Sequence, residues 1–568
     1  MNTDLFLILV GSVAVAGVAR WRGWPAPLLV TVVALAVSVL PVVPDIEING
    51  ELLLSLVLPP LLYSAALDAS FLNFKQSLPQ IRRLGVWLVL LTTAAVGWVA
   101  FLIMPALTLP GALLLGAIVA PPDAVSAASI GRRLGLPRRI MTVISGESLI
   151  NDATSLTLFR VFALIVAGGA VTWMAGVWAF VLAVTVGVAV GLVFGFLLNL
   201  LRLRFDDPVE IGTVGLLVPF GAYAIAERLE GSGVLAVVAM GLYVGYHAPR
   251  TSYTTRQQER PVWLSLDLLL ESFVFALIGL QLPDVVTQLA KDSETSVLHA
   301  LLLAGAVLLV VLLVRPIFVF SSYALARGLQ RMRVRAQARS TAPPKRPVRP
   351  EPVLSRRDRV VISWAGMRGV VTLAVAAAIP DVAGGAIPAP AQHAMLLVAF
   401  VVTVGTLLLQ GLTLPVMIRR LEVVGPEELL EDEREIAAVR IKTSERGREF
   451  LVQQREGWAQ RYGPEATARF DQLAAALTRM SHDSERAHDV IDADESAGGA
   501  ANAHRRSSGE ALTELARGWL DVRRAVVLEE RDAGNLNEEV MRELIVALDA
   551  EELALDTRGH AQAPPRTA

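Results

Sequence analysis

Residues 146–153 read Gly-Glu-Ser-Leu-Ile-Asn-Asp-Ala and sit inside an otherwise apolar run. On a helix Glu147 and Asn151 are four apart and share a face, while Ser148 and Asp152 share another about 100° away. The Ser148/Asp152 face offers a hydroxyl and a carboxylate, hard oxygen ligands that suit an alkali cation rather than a soft metal. The other face offers a carboxylate suited to a buried ion pair. Asp152 lies ~14 residues into its apolar run, or ~20 Å along a helix. At that depth in a membrane an ionisable group is costly and functional by default.

Two further charges stand at interruptions of apolar runs. Asp123 follows Pro121-Pro122, and Arg368 lies within Gly366-Met367-Arg368-Gly369. A carboxylate at a helix break can face the positive N-terminal end of the following half-helix, and freed backbone carbonyls beside it can bind a cation. Arg368 cannot lose its proton and needs a buried acid; Glu147 is the expected partner, which leaves Asp152 to trade a proton for a cation. Arg160, toward one end of its run, is expected to snorkel. Arg315, beside Pro316, is expected to snorkel or pair, and Asp68 to be solvated. Asp267 and Glu271, one turn apart, share a face that lines either a funnel or a subunit contact.

The elements that must position these groups are membrane spans. Of 568 residues, 54% are hydrophobic and only 18% charged, where a soluble chain carries about a quarter charged residues. The net charge of −2 gives no footing for nucleic acid, and the absence of cysteine excludes disulfides, zinc-thiolate sites and thiol chemistry. The N-terminus, Met1-Asn2-Thr3-Asp4, lacks a basic leader and reads as a retained first helix. At ~20 apolar residues per span, about thirteen spans are expected, near 4–19, 26–44, 50–67, 84–106, 109–129, 138–167, 170–201, 210–228, 232–247, 262–282, 297–326, 359–380 and 392–418. Lys and Arg cluster after the odd-numbered spans, as at Arg20, Arg82, Arg132, Arg202, Arg250, the stretch 327–359 and Arg419, and are sparse after the even ones. That alternation predicts an outside N-terminus and a cytoplasmic C-terminus.

Thirteen divides as six, one, six, the inverted-repeat plan of many secondary transporters. The breaks at Asp123 and Arg368 then fall in the fifth span of each repeat, and paired broken helices point to a midplane site. The expected fold is thus an all-α polytopic membrane protein, with two inverted six-helix repeats whose broken helices cross. Its membrane domain covers 1–420. Residues 421–568 read as a helical cytoplasmic tail, with helices near 426–460, 464–481 and 508–556 and a linker at 482–509. The Pro/Arg-rich stretch 340–358 reads as a connector.

These residues are specific enough to carry a family resemblance. The run Gly146–Phe159, Gly-Glu-Ser-Leu-Ile-Asn-Asp-Ala-Thr-Ser-Leu-Thr-Leu-Phe, resembles the signature of sodium/proton exchangers in the monovalent cation:proton antiporter family. The pair Asn151-Asp152 is similar to that of its electroneutral branch. Residues 120–126, Ala-Pro-Pro-Asp-Ala-Val-Ser, look like the broken helix of bacterial members, and 364–374, Trp-Ala-Gly-Met-Arg-Gly-Val-Val-Thr-Leu-Ala, like the arginine-bearing helix. Residues 275–283, Phe-Ala-Leu-Ile-Gly-Leu-Gln-Leu-Pro, also look like a stretch of the family, and the resemblance covers about residues 5–420. It implies a homodimer with an interface domain and a moving core. It also implies that Asp152 carries ion and proton, that Asp123 and Ser148 are further Na⁺ ligands, that Asn151 orients both aspartates, and that Glu147 pairs with Arg368. Two departures stand out: Pro122-Asp123-Ala124 where many relatives have Thr-Asp-Pro, and Ser64 where some carry an acid.

The expected function is antiport of Na⁺ against H⁺ at the cell membrane, without a cofactor and without enzymatic chemistry. One exchangeable acid predicts one proton per Na⁺ and no net charge moved. Exchange of K⁺ is the nearest alternative, since selectivity rests on fine ligand geometry. A gated channel would want a ring of ligands around a continuous pore, and no intramembrane hydrolase motif accompanies the acid pair.

Overall fold

The computed structural model describes residues 3–38, 50–169, 173–205, 207–291, 297–338, 354–380, 386–423, 426–480 and 502–561. These residues are mainly helical, with no strand among them, and the chain divides into two compact units, 1–425 and 426–568. Most of the expected loops at 45–47, 292–296, 340–353 and 381–385, and the linker up to residue 501, lie outside the described residues.

The helices of the first unit are α1 (Thr3–Arg22), α2 (Ala26–Ser38), α3 (Gly50–Asp68), α4 (Phe71–Ile103), α5 (Thr108–Val119), α6 (Ala124–Arg133), α7 (Arg138–Val166), α8 (Trp173–Arg204), α9 (Pro208–Arg228), α10 (Gly233–His247), α11 (Tyr253–Lys291), α12 (Val297–Ala338), α13 (Arg356–Trp364), α14 (Val370–Ala377) and α15 (Ala389–Leu421). Eight described helices are long and apolar enough to cross a membrane, which makes the chain a multi-pass membrane protein. Large apolar side chains such as Trp98, Phe196, Leu217, Leu302 and Ile317 stand exposed along them, as lipid-facing surfaces require.

Several helices overrun the expected spans. Helix α4 starts at Phe71, where Ser70 accepts the Asn73 N–H at 3.2 Å, instead of near residue 84. It contains a π turn at Arg83–Leu88, shortly after Pro79, whose missing N–H interrupts the regular ladder. Helix α11 continues through Pro283 to Lys291, past the loop expected to begin there. The predicted breaks are present: α5 stops at Val119 and α6 begins at Ala124, and α13 stops at Trp364 before α14 begins at Val370.

The helices sort into two bundles. In one, which holds the site, α4 packs on α5 and α12, α5 on α7, and α12 on α15. In the flanking bundle, α10 packs on α8 and α3, α11 on α2 and α1, and α9 on α8 and α10. The two meet where α11 lies against α15, α3 against α14 and α10 against α7.

The second unit comprises α16 (Pro426–Met480), α17 (Asn502–Asp532) and α18 (Glu538–Ala561). Helix α16 kinks at Gly463, which adopts φ +78°, a region open to glycine. Trp519, Leu520, Phe470, Val540 and Met541 are buried in its own core. Lys442 pairs with Glu530 at 2.7 Å, and Arg524 with Glu552 at 2.7 Å and Asp549 at 3.1 Å, tying α17 to both neighbours. The single helix expected over 508–556 is two helices, because Gly534 turns the chain at φ +79° and Asn537 accepts the Glu539 N–H. Residues 502–509, expected as linker, form the first turns of α17.

Candidate ion-binding site

The site forms where the two breaks cross. Residues 120–123 and 365–369 are non-helical, so each leaves the ends of two half-helices without their normal backbone partners. The strands of chain touch directly: the Asp123 N–H donates to the Met367 carbonyl at 2.6 Å. Gly369 is required there, since a Cβ at that position would run into the Asp123 carboxylate. Asp123 also accepts the Ser126 hydroxyl at 3.0 Å. Its carboxylate therefore lies at the N-terminal ends of both α6 and α14, where helix dipoles favour negative charge.

Arg368 is buried and occupies the opposite kind of end. Its Nε donates to the Val119 carbonyl at 3.0 Å and its Nη2 to the Ala120 carbonyl at 3.1 Å, at the C-terminus of α5, while Nη1 donates to the Gly366 carbonyl. Its own N–H donates to Thr406 Oγ1 at 3.0 Å. A fixed cation thus meets the negative end of one half-helix and closes its orphan carbonyls. The carbonyls expected to serve a transported cation at the first break are to that extent already engaged by protein donors.

The expected pairing of Glu147 with Arg368 is not what the structure contains. Glu147 is bidentate with Arg315: Nη2 donates to Oε2 at 2.8 Å and Nη1 donates to Oε1. Both side chains are buried, and Arg315 Nε additionally donates to the Ile362 carbonyl at 3.0 Å, at the C-terminal end of α13. Arg315 lies 18 positions after Val297 in a 42-residue helix, too far inside to snorkel. Among the described residues no hydrogen bond joins Glu147 to Arg368. The signal for burial of Arg315 in the sequence is that it is the lone Lys, Arg, Asp or Glu in the otherwise apolar stretch 297–326.

On α7 the periodicity places Asn151 and Asp152 as expected, both buried, with Ser148 half-buried one turn earlier. Asn151 Nδ2 donates to the Pro122 carbonyl at 2.9 Å, so it acts on Asp123 through the backbone of the break. Its Oδ1 is buried with no hydrogen-bond partner among the described residues. Ser155 donates to the Ala117 carbonyl at 2.8 Å and ties α7 to α5 one turn further on. Close approach of α4 is permitted by Gly85, whose missing Cβ would meet Ile150. Asp152 has no cationic side chain as partner among the described residues; its charged neighbour is Asp123. Two adjacent carboxylates, one of them deeply buried, demand a proton or a bound cation.

Helix α11 brings a second pair of acids toward this point. Ser64 donates to Asp267 Oδ2 at 2.5 Å, and Glu271 has Asp267 and Asp123 as electrostatic neighbours. Glu271 therefore lies toward the first break, while the Asp267 carboxylate reaches Ser64 on the neighbouring helix. Asp68, at the end of α3, is exposed as expected. Arg160, toward the end of α7, pairs with Glu227 of α9.

The chain is similar to known proteins over its first unit. The chain matches a family model described as sodium/hydrogen exchanger, transmembrane, over residues 6–420. It is 34% identical over 422 residues to an uncharacterized Na(+)/H(+) exchanger of Mycobacterium tuberculosis, covering 73% of this chain and 74% of that one. It is 29% identical over 432 residues to the Na(+)/H(+) antiporter ApNhaP of Aphanothece halophytica, covering 75% and 76%. The solved structure of the sodium proton antiporter MjNhaP1 from Methanocaldococcus jannaschii at pH 8 superposes with a TM-score of 0.55 at 19% identity, over 73% of this chain and 97% of that one, a likeness of fold. With paired broken helices, a buried acid between them and a match spanning the whole membrane unit, this chain belongs to the sodium/hydrogen exchanger family.

Proposed function

We propose that the chain exchanges Na⁺ for H⁺ one for one across the cell membrane, by alternating access, with Asp152 as the group that holds either ion. The observation that carries this reading is the unequal treatment of buried charge. Glu147 and Arg315 neutralise each other, Arg368 is held by helix-end carbonyls, and Asp152 is left without a cationic partner beside Asp123. A proton or a Na⁺ satisfies that carboxylate, and the two exclude each other there. Asp123 and Ser148 complete the Na⁺ ligand set, and Asn151 holds the break in position. Either occupied state removes the cost of carrying a bare charge through the membrane, so either lets the site bundle move past the flanking bundle. Such a cycle moves no net charge, needs no cofactor, and draws on the pH and Na⁺ gradients.

The topology in this proposal has thirteen crossings: the eight long helices, the shorter α2, α3 and α10, and the broken pairs α5–α6 and α13–α14. They form two inverted six-helix repeats about one linker span, with the N-terminus outside and the C-terminal unit in the cytoplasm, where it is regulatory. The working form is a homodimer assembled through the flanking bundle.

The test is transport by protein reconstituted in vesicles with an internal pH dye, with the membrane potential clamped first at zero and then at a negative value. Na⁺ added outside is expected to alkalinise the lumen at a rate that ignores voltage, and Asp152→Asn is expected to abolish this while leaving the protein folded. A response to K⁺ alone would overturn the ion assignment, and residual Na⁺-coupled proton flux in Asp152→Asn the single-acid mechanism.

A further inference from the structure

Arg160 lies on α7 eight positions beyond Asp152, ~12 Å further along the same helix. Its neighbours, Leu156 to Leu164, are otherwise uncharged and mainly apolar, so a guanidinium there needs a reason. The structure supplies one in the ion pair with Glu227, in the last turn of α9. An acid at a helix C-terminus is disfavoured by the dipole, yet Glu227 is held there by the next helix: its Oε1 accepts the Gly233 N–H at 2.7 Å, at the start of α10. Ser232 caps the same helix start through the Leu235 N–H at 3.2 Å. Glu227 is thus built into the α9–α10 corner of the flanking bundle, whereas Arg160 rides on the helix that carries Asp152.

The other ion pairs of the membrane unit named above stay within one bundle, as do Arg139 with Asp358 and Arg202 with Glu259. Arg160 with Glu227 joins the two. The pair is also placed differently in depth. Arg160 is 41% and Glu227 26% exposed, whereas Glu147 and Arg315 are sealed. A partly exposed pair is more readily broken and remade at every turnover than a sealed one.

We propose that Arg160 and Glu227 are positioning residues of the transport cycle: a cross-bundle ion pair that holds the two bundles together on one side of Asp152 in this state and must part in the other. In the topology proposed above that side is the outer one. The inference rests on the alternating-access reading and adds to it the contact that opens.

The chain contains no cysteine, so introduced thiols report without background. In R160C/E227C, a short bis-methanethiosulfonate reagent should link the two positions, verified by mass spectrometry. Na⁺-driven proton flux should then be lost, and should return when the linker is reduced. Flux that persists in linked protein overturns the proposal, as does failure to link in both Na⁺-loaded and proton-loaded vesicles. Wild-type vesicles run alongside separate the two levels: absence of Na⁺-driven flux there refutes exchange itself, not the contact. As a second readout, A163C, buried one turn from Arg160, should gain labelling by an impermeant thiol reagent in R160E and lose that gain in R160E/E227R. Unchanged labelling in R160E, or no reversal on charge exchange, overturns the proposal independently.

Discussion

Removal of Arg315 distinguishes the ion pair present in the structure from the one that residue types alone suggest. Arg315→Met keeps the length and apolar stem of the side chain but strands Glu147, a buried carboxylate, and the Ile362 carbonyl. At a charge separation of about 4 Å and an effective dielectric of about 20, the pair interaction is about 4 kcal/mol. Breaking one partner of a buried pair costs about 3–5 kcal/mol for the same reason. Adding Glu147→Gln removes the stranded charge, so the double variant should regain most of that loss, a coupling of a few kcal/mol. Arg368→Met strands the Val119, Ala120 and Gly366 carbonyls instead, and Glu147→Gln should not rescue it. The assay is the melting temperature and monodisperse yield of each single and double variant in the same detergent. The expected fall for Arg315→Met is of order 5 °C for a chain larger than those with 2–4 °C per kcal/mol. Rescue of Arg368→Met by Glu147→Gln, with none of Arg315→Met, would refute the argument.

Gly369→Ala should place a Cβ into the Asp123 carboxylate, so Na⁺-driven flux should fall sharply with little change in yield; wild-type affinity in that variant would mean the crossing is looser than its hydrogen bond implies. In the second unit, hydrogen bonds from Lys442 and Asn535 hold the Glu530 carboxyl below the usual glutamate range. A depressed acid contributes stability that is present above its unfolded value, roughly pH 4.3, and is lost as pH falls through the depressed one. Lys442→Met should therefore lower hydrogen-exchange protection of α17 in the full-length protein at neutral pH, with the difference shrinking in acid; a pH-independent difference would exclude the linkage.

Much of the site was legible because membrane burial makes charge conspicuous. The Pro121-Pro122-Asp123 and Gly366–Gly369 interruptions mark helix breaks by local chemistry alone, proline lacking an N–H and glycine lacking a Cβ, and both breaks are where that chemistry puts them. The helical spacing of Glu147, Ser148, Asn151 and Asp152 likewise follows from a period that no tertiary contact alters. Helix ends were less legible. The starts of α4 and α17 and the end of α11 lie well outside the apolar runs that announced them, because amphipathic turns continue a helix past its most apolar stretch.

Which charge meets which is where the sequence by itself falls silent. Composition, apolar runs and two interruptions determine a helical membrane chain with a buried acid beside a break. They do not say that α12 delivers Arg315 to Glu147, that Arg368 turns to the carbonyls ending α5, or that α9 holds Glu227 against Arg160. Each of these partners comes from a helix distant in the chain, and its choice depends on crossing geometry set by packing across the whole bundle. Local rules fix the helices and the faces that carry charge; only the folded arrangement decides the pairs, and it leaves Asp152 with no cationic side chain as partner among the described residues.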